Sequence, residues 1–391
     1  MNLHIRNVRL IAGTGAPAIA RTNVQVANGI IRWIGPDDPS PAMRVPFEDI
    51  NGQGLTLIPG LIDCHEHFTG DGGPDNGELL ASDDADMAVL KAVRNCRRAL
   101  LSGVTSARDV GSKAGINISI AAAAAAGKIL GPRIIAAGEW LAFEEPWGAF
   151  ARHLQDIEEL VGAIREQVAS GTGLIKIGAA NTRGDGTQVA PMSPAVLAAA
   201  VQAAHSAGLK IAAHSVGYEG TRLAVEAGVD SIEHGTFVDQ ETAELMAERG
   251  TYLVPTMSTS DARLRLARIE GLSGQELDRA EERQAIGRNS FRNALEAGVK
   301  IAAGTDAGGS AVRHGDLARE IELMIAAGMS TNAALESATR EASILLGIQD
   351  LVGTVEVGKV ADMVLLDGDP VLDPGALRNV WGVFRGGQQV P

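Results

Sequence analysis

The stretch LIPGLIDCHEHFTG, residues 57–70, ends an apolar run with two histidines one residue apart. The run is broken only by Pro59 and Gly60, and His65 and His67 are two of eight histidines in 391 residues. Side chains at positions i and i+2 of a strand face the same side, so both imidazoles are expected to point in one direction. A single cation could then contact both rings. The Pro-Gly pair fits a bend or bulge that aims the end of this strand, and a proline here would equally fit the entry to the sheet.

Seven further apolar runs follow this one, and helical patterns follow nearly all of them. Such an alternation is typical of repeated βα units around a parallel sheet. Eight units predict a (β/α)8 TIM barrel. The predicted strands are LTLIPGLID, GVTSARDV, PRIIAAG, GLIKIGA, LKIAAH, VDSIEH, TYLVPT and VKIAAGTD. A charge-rich helical insertion over residues 260–298 follows the seventh strand and is interpreted as an elaboration of the barrel.

The two ends of the chain have a different pattern. Residues 1–54 and 352–391 contain short β-rich segments linked by Gly and Asn turns. Neither end has enough strands for a stable sheet of its own, so we expect both termini to meet in one small β-sandwich domain. The barrel is then predicted to span residues 55–351.

Composition excludes several classes of partner. The net charge is −14 and the pI about 5.1, and Lys and Arg are not clustered, which argues against a nucleic-acid surface. No apolar stretch reaches the roughly 18 residues that would span a membrane. Two cysteines and an N-terminus without an apolar signal core indicate a cytoplasmic protein. We expect a small-molecule partner and no membrane or nucleic-acid partner, and the sequence is compatible with a homo-oligomer.

Ligand-type residues stand at the ends of several predicted strands. In (β/α)8 barrels the reacting groups lie at the carboxyl ends of the strands, which meet at one mouth. Any one of these histidines would fit a packing role, but the whole set indicates a metal site. The set consists of His65, His67, Lys176, His214, His234 and Asp306.

Lys176 is the unusual member, because an ammonium is a poor ligand and is costly beside a dication. Two interpretations remain open. Carbamylation by carbon dioxide would turn the amine into a carboxylate that bridges two metals about 3.5–4 Å apart. Alternatively, the lysine pairs with Asp306 across a mononuclear site.

The chain resembles the amidohydrolase superfamily over almost its whole length, and within it the imidazolonepropionase-like and Xaa-Pro dipeptidase-like branch. The matching stretches are PGLIDCHEH, GLIKI, IAAHSVG, VDSIEHG, GTDAG, HGDLAREIELMIAAGMS and GTVEVGKVADMVLLDGDPVLD. The resemblance implies that His65 and His67 bind a first metal and that His214 and His234 bind a second. It further implies that Lys176 is a carbamylated bridge.

Asp306 is implied to be both a ligand and the catalytic proton shuttle. The cofactors expected are two divalent ions, with zinc preferred and manganese, cobalt or iron as other options. The implied reaction is hydroxide attack on an amide. Alternatives are a mononuclear deaminase, a hydrolase of cyclic amides, lactones or carbamates, and a scaffold that has lost catalysis; metal content distinguishes the binuclear, mononuclear and scaffold cases.

Substrate contacts are less well marked. The resemblance suggests His314, and Tyr218 and Arg108 are further candidates near strand ends. Because related substrates end in a carboxylate, Arg108, Arg183 and Arg313 are the expected cations. Trp140, Trp147 and Tyr218 are candidates for one wall of the pocket. These features predict a dipeptide or N-acyl amino acid substrate.

Overall fold

The computed structural model describes residues 2–36, 48–143, 148, 150–183, 185–271 and 273–391. Within these ranges the strands are β1 (Asn2–Leu10), β2 (Ile19–Ala27), β3 (Ile30–Gly35), β4 (Glu48–Asn51), β5 (Leu55–Pro59), β6 (Leu61–Glu66), β7 (Val104–Asp109), β8 (Arg133–Ala136), β9 (Trp140–Phe143), β10 (Ala151–Leu154), β11 (Leu174–Thr182), β12 (Gln188–Val189), β13 (Lys210–Ser215), β14 (Ser231–His234), β15 (Tyr252–Val254), β16 (Met363–Asp367), β17 (Val380–Arg385) and β18 (Gln388–Gln389).

The α-helices of the described residues are α1 (Asn76–Ser82), α2 (Ala85–Leu101), α3 (Ile116–Ala125), α4 (Ile157–Ala169), α5 (Pro194–Ser206), α6 (Tyr218–Ala227), α7 (Gln240–Arg249), α8 (Met257–Ile269), α9 (Gln275–Glu296), α10 (Leu317–Ala326), α11 (Thr331–Ser337) and α12 (Arg340–Leu346). Short 3₁₀ turns cover Lys113–Gly115 and Pro374–Arg378. None of these helices combines the length and apolarity that crossing a bilayer requires.

Eight parallel positions form the barrel. β6 pairs with β7 and β7 with β8, while β9, β11, β13, β14 and β15 pair in that order. The third position is divided between β8 and β9. Segment 300–307 takes the eighth position, because Ile301 bridges Leu253 of β15 and Ala307 bridges Glu66 of β6. The predicted TIM barrel is therefore confirmed.

The two termini form one sheet, as predicted. β1–β5 and β16–β18 make an eight-stranded sheet in which β16 lies between β5 and β17. Apolar side chains from both ends share one core, in which Ile5, Val24, Leu365 and Phe384 are fully buried. Neither end of the chain buries this core without the other.

The predicted first strand, LTLIPGLID, is two strands in different sheets. β5 pairs with β1 and β16 of the terminal sheet, so Leu55–Pro59 does not belong to the barrel, where the sequence placed it. A side chain at Gly60 would put its Cβ 2.0 Å from Thr105 Oγ1, so only glycine fits where the chain crosses between sheets. The other limits of the domains at 1–54, 352–391 and 55–351 stay predictions.

Helix α5 shows how local sequence sets an element. The Ser193 side chain accepts a hydrogen bond from Val196 N, and Pro194 takes the first helical position. Gly208 lies just beyond the helix with φ of +73°. Leu197 and Ala200 are buried in the core between helices and barrel. These ends agree with the pattern read from the sequence.

Candidate metal centre and substrate cavity

Three of the predicted ligands converge on one point. The ligand atoms of His65, His67 and Asp306 all lie within 4.8 Å of one another, and all three residues are buried. Asp306 Oδ1 lies 3.5 Å from His65 Nε2 and 3.4 Å from His67 Nε2. Two ligands held at about 2.0–2.1 Å in a tetrahedral site are about 3.4 Å apart. These separations are long for hydrogen bonds but fit shared coordination of one ion.

The other two histidines form an adjoining pair. His214 Nδ1 and His234 Nε2 approach to 3.0 Å, and their ring centroids are 4.5 Å apart. The His234 ring is 4.9 Å from that of His65. The four imidazoles therefore form a single cluster at the barrel mouth.

Two members of the cluster have unusual backbones. His234 has φ of +68° and Asp306 has φ of +59°. Residues other than glycine rarely adopt this region, and such strain concentrates at functional sites. The left-handed turn ends β14 at His234, while Glu233 and Ser231 are buried on the same strand.

Hydrogen bonds fix the direction of three rings. His65 Nδ1 is 2.7 Å from Glu233 Oε2, His67 Nδ1 is 2.7 Å from Gly111 O, and His234 Nδ1 is 2.7 Å from Thr256 Oγ1. The oxygens of Glu233 and Gly111 can only accept, so Nδ1 of His65 and of His67 carries the proton. Each Nε2 is then left as a lone-pair donor, as metal-binding histidines require.

Burial, together with nearby charges, lowers the pKa values of His65, His214 and His234 well below the ordinary value of histidine. All three rings are therefore neutral at pH 7. Neutral imidazole is the form that binds a metal ion.

Lys176 is a lysine enclosed in the barrel. It is 1% exposed, and no described residue accepts a hydrogen bond from its Nζ. Nζ lies 5.5 Å from the centre of the Trp140 ring. Burial lowers the pKa of its ammonium to about 8, against the raising effect of Glu233. The ion pair between Lys176 and Asp306, which the sequence left open, is not formed in this structure.

Arg108, predicted as a substrate contact, does not line the cavity. Its guanidinium donates to Cys64 O at 2.6 Å, to Ser231 Oγ at 3.0 Å and to Glu233 Oε1 at 2.6 Å. The residue is only 3% exposed. Arg108 instead holds Glu233, and Glu233 in turn holds His65.

His314, the other predicted contact from the resemblance, does not line the cavity either. Its side chain is fully buried, with Nδ1 2.5 Å from Glu66 Oε2 and Nε2 2.7 Å from Gly70 O. Burial lowers its pKa to about 4 and raises that of Glu66 well above the usual value. Both shifts favour an uncharged pair in which the Glu66 carboxyl donates to Nδ1, while Nε2–H donates to Gly70 O. This pair ties the loop after the eighth strand to the end of β6.

The other expected contacts also lie away from the cavity. Tyr218 is 39% exposed at the start of α6, and a hydrogen bond to Asp239 raises the pKa of its hydroxyl. Arg183 and Arg313 do not line the cavity. Trp140 does line it, as expected, whereas Trp147 lies outside the described residues.

The cavity above the imidazoles has a volume of about 300 Å³. Phe150 stacks on His67 with ring centroids 4.4 Å apart and an angle of 2° between the planes. The remaining walls include Trp140, Asn181 and side chains of α8 and α9. Three arginines belong to this part of the lining: Arg263, Arg283 and Arg288.

Helix α8 is fixed to the site at its start. Glu320 of α10 accepts hydrogen bonds from Met257 N at 2.8 Å, Ser258 N at 2.7 Å and Ser258 Oγ at 2.6 Å. Thr256, just before the helix, contacts His234. A carboxylate at a helix N-terminus satisfies otherwise unpaired N–H groups.

Sequence reasoning missed Glu233 and the three arginines. Glu233 could have been found from period-two alternation, since it follows Ser231 by two residues in VDSIEH and precedes a predicted ligand. The arginines lie in the insertion recognised as charge-rich, but nothing in that pattern shows which charges face the barrel mouth.

Comparison with known proteins agrees with this arrangement. A family model described as "Amidohydrolase family" matches residues 56–390. Ochratoxinase of Aspergillus niger is 30% identical, with 95% of this chain and 84% of that protein covered. An imidazolonepropionase of Rhizorhabdus wittichii is 25% identical, with 93% and 92% covered.

Solved structures show the same likeness. The crystal structure of a Xaa-Pro dipeptidase with bound methionine in the active site superimposes with a TM-score of 0.89 at 31% identity, covering 100% of both chains. The barrel, the terminal sheet, the strand-end histidines and a match over most of the sequence therefore agree, and the resemblance noted from the motifs is confirmed. The chain belongs to the amidohydrolase family.

Proposed function

We propose that this protein is a binuclear metal-dependent hydrolase that cleaves the amide bond of a dipeptide or an N-acyl amino acid. The observation that carries the proposal is the His65, His67 and Asp306 trio at metal-ligand spacing, beside the His214 and His234 pair. The trio fits one cation, and the pair provides nitrogen ligands for a second.

Lys176 supports a bridge between the two positions. A buried ammonium without a partner is costly, so this amine gains from losing its positive charge. When the neutral amine reacts with carbon dioxide, an N–C bond forms, one proton leaves, and a carboxylate with two oxygens results. One of these oxygens would then be available to each cation.

Imidazole and carboxylate ligands favour zinc, with manganese, cobalt and iron as other options. Two divalent cations held here would supply an activated water and an electrophilic contact to the substrate carbonyl. The residues of this chain perform the remaining steps. Glu233 keeps the His65 ring oriented, and Asp306 accepts a proton from the attacking water on its carboxylate and passes it to the departing amine.

The substrate class is supported by size, charge and relatives. A cavity of about 300 Å³ lies at the small end of the range for ligand sites. Ochratoxinase and Xaa-Pro dipeptidase are names of amide-cleaving enzymes, and the methionine bound in the latter has a free carboxylate. An amide whose amine half ends in a carboxylate is therefore the proposed substrate.

One observation favours a second candidate. The His65, His67 and Asp306 trio could hold a single ion without Lys176, and an imidazolonepropionase is among the relatives. A mononuclear deaminase or hydrolase of a cyclic amide, lactone or carbamate would use this smaller site.

Metal content and substrate class test the proposal together. Elemental analysis of protein purified without chelator should give two divalent ions per chain, and a reproducible value of one would favour the mononuclear candidate. A panel of dipeptides, N-acyl amino acids and lactones should then show amide cleavage by the zinc-loaded enzyme. Capping the substrate carboxylate as a carboxamide should lower kcat/KM; equal values would contradict carboxylate recognition.

We also propose a cytoplasmic location. Cys64 and Cys96 are both free and buried, which suits a reducing compartment. A homo-oligomeric state stays a prediction.

A further inference from the structure

Helices α8 and α9 form a hairpin over one side of the cavity. The residues of this hairpin that line it include Ser260 and Arg263 from α8 and Arg283, Gly287 and Arg288 from α9. Positions 283 and 287 are spaced i and i+4, so they share one face of α9, and Arg288 adjoins this face. That face is directed at the cavity.

The arginines of the hairpin fall into paired and unpaired ones. Outside the cavity, Arg265 pairs with Asp261 at 2.9 Å and Arg268 pairs with Glu281 at 2.8 Å. No described carboxylate pairs with the three cavity arginines, and Arg288 donates only to the neutral amide of Gln284 at 3.3 Å. Arg279 and Arg292 of α9, which do not line the cavity, also lack a carboxylate partner among the described residues. What distinguishes Arg263, Arg283 and Arg288 is therefore their shared place on the cavity wall.

Two of these charges, those of Arg263 and Arg283, lie close enough to interact, whereas Arg263 and Arg288 are exposed to solvent. Burial and the charge of Arg263 lower the pKa of Arg283, which is half-buried. Among the described residues that line the cavity, Asp306 is the only acidic one, and it belongs to the metal trio. Like charges held near one another destabilise a fold unless a ligand compensates them.

Gly287 leaves room between the charges. A Cβ at this position would meet no atom within 4 Å. Glycine in the middle of a helix costs about 0.5–1 kcal/mol relative to alanine, yet no packing against a neighbour requires it here. The result is a slot on the cavity wall with an arginine on each side.

We propose that Arg263, Arg283 and Arg288 form an anion subsite for a substrate with two carboxylates on its amine half, such as an N-acyl glutamate or a dipeptide ending in Glu or Asp. This inference rests on the proposed function. A planar carboxylate takes one guanidinium in a two-pronged contact. One carboxylate would occupy one of the three guanidiniums and a second carboxylate another, while the third stays in contact with solvent.

The test compares N-acetyl-glutamate, N-acetyl-glutamine and N-acetyl-methionine as substrates of the zinc-loaded enzyme. All three keep the α-carboxylate, so only the side-chain charge changes. The wild type should prefer the glutamate compound by at least roughly tenfold in kcat/KM. Arg283→Met should remove most of this preference, mainly through KM, while the glutamine compound changes little.

Arg268→Met is the matched control, because its guanidinium lies on the same hairpin but pairs with Glu281 outside the cavity. It should keep the wild-type preference. Arg283→Met should melt no lower than wild type, since it removes charge repulsion, and this separates lost recognition from lost folding. Binding of glutarate, measured by calorimetry, should weaken in the same variant.

The outcomes separate the two proposals. Amide cleavage without preference for glutamate, unaffected by Arg283→Met, would overturn the subsite and leave the hydrolase proposal standing. Arginine-dependent glutarate binding without cleavage of any amide would overturn the proposed function and support the subsite.

Discussion

Glu233 links the metal site to the interior of the barrel. One of its oxygens accepts hydrogen bonds from Arg108 and from the Ser231 hydroxyl, and the other faces His65 Nδ1. Because the carboxylate is 0% exposed, water cannot replace a lost partner. The charge balance of Arg108 and the direction of the His65 ring therefore depend on the same side chain.

Glu233→Gln should weaken both zinc binding and the stability of the fold. The affinity of the protein for zinc should fall about 10–100-fold, since the imidazole loses its charged acceptor. The free energy of unfolding of the metal-free protein should fall by about 3–5 kcal/mol, because Arg108 remains buried without a charge partner. Chelator competition and chemical denaturation measure the two effects. Glu241→Gln, at an exposed ion pair with Arg222, is the control and should change neither; an unchanged zinc affinity of Glu233→Gln would contradict the role.

If Lys176 bridges two ions as proposed, Lys176→Ala should lose activity and at least one of the two ions, because the proposed carbamate is gone. Short carboxylic acids such as propionate should restore part of kcat by replacing the missing carboxylate. Lys128→Ala, at an exposed lysine, serves as the control. Retention of both ions and full activity in Lys176→Ala would rule out the bridge.

Asp306→Asn should reduce kcat on the order of 10²–10⁴-fold, the usual contribution of a general acid–base group. An amide can still offer one oxygen as a ligand, so much of the metal should remain. The check is kcat measured alongside metal content in the same preparation. Near-normal turnover would remove Asp306 from proton transfer.

The sequence predicted which strand each site residue follows, but it did not predict which groups each side chain contacts. His65, His67 and Asp306 meet because strand ends converge, and the order of strands is legible from apolar runs. Arg108 and His314 lie at the same end of the barrel, but their side chains point into the protein. There Arg108 pairs with Glu233, and His314 contacts Glu66. Which way such a side chain turns depends on carboxylates that are distant in sequence, and no local pattern shows that.

The α8–α9 hairpin forms one side of the cavity, and Gly287 leaves open space on that wall. Gly287→Ala should raise the free energy of unfolding by about 0.5–1 kcal/mol through helix propensity. The added methyl group also narrows the slot, so KM for carboxylate substrates should rise. Denaturant unfolding and steady-state kinetics measure the two changes.

Gly162→Ala in α4 is the matched control, because its Cβ also meets nothing within 4 Å but lies away from the cavity. It should gain similar stability with unchanged kinetics. If Gly287→Ala leaves KM unchanged as well, the slot does not hold substrate.

Elements were predictable where capping and periodicity decide them. Ser193, Pro194 and Gly208 gave both ends of α5 from the sequence. The split of LTLIPGLID into β5 and β6 was missed, because an apolar run does not reveal which of two sheets each half joins. The α8–α9 hairpin was predicted to be helical. Its spacing of charged residues did not show that one of its sides would line the cavity.

For the whole molecule, metal removal should lower the melting temperature. An ion that binds only the folded chain at a hundred times its Kd stabilises it by about 2.7 kcal/mol. Calorimetry of chelated and zinc-reloaded protein measures the shift, and reloading should reverse it. Identical melting curves with and without zinc would contradict a metal site at the barrel mouth.

The barrel closes at a seam where β6 meets segment 300–307. This seam has a consequence for the order in which the chain folds. Asp63 accepts hydrogen bonds from Thr305 N at 3.0 Å and from its hydroxyl at 2.7 Å, joining residues 242 positions apart. Contacts of such long sequence separation form late, because a long loop must close before they are gained. His65 and Asp306 lie on the two sides of this seam. During synthesis, a chain that has not yet produced its eighth strand holds the histidine pair without its carboxylate, so the complete trio can capture an ion only after the ring has closed.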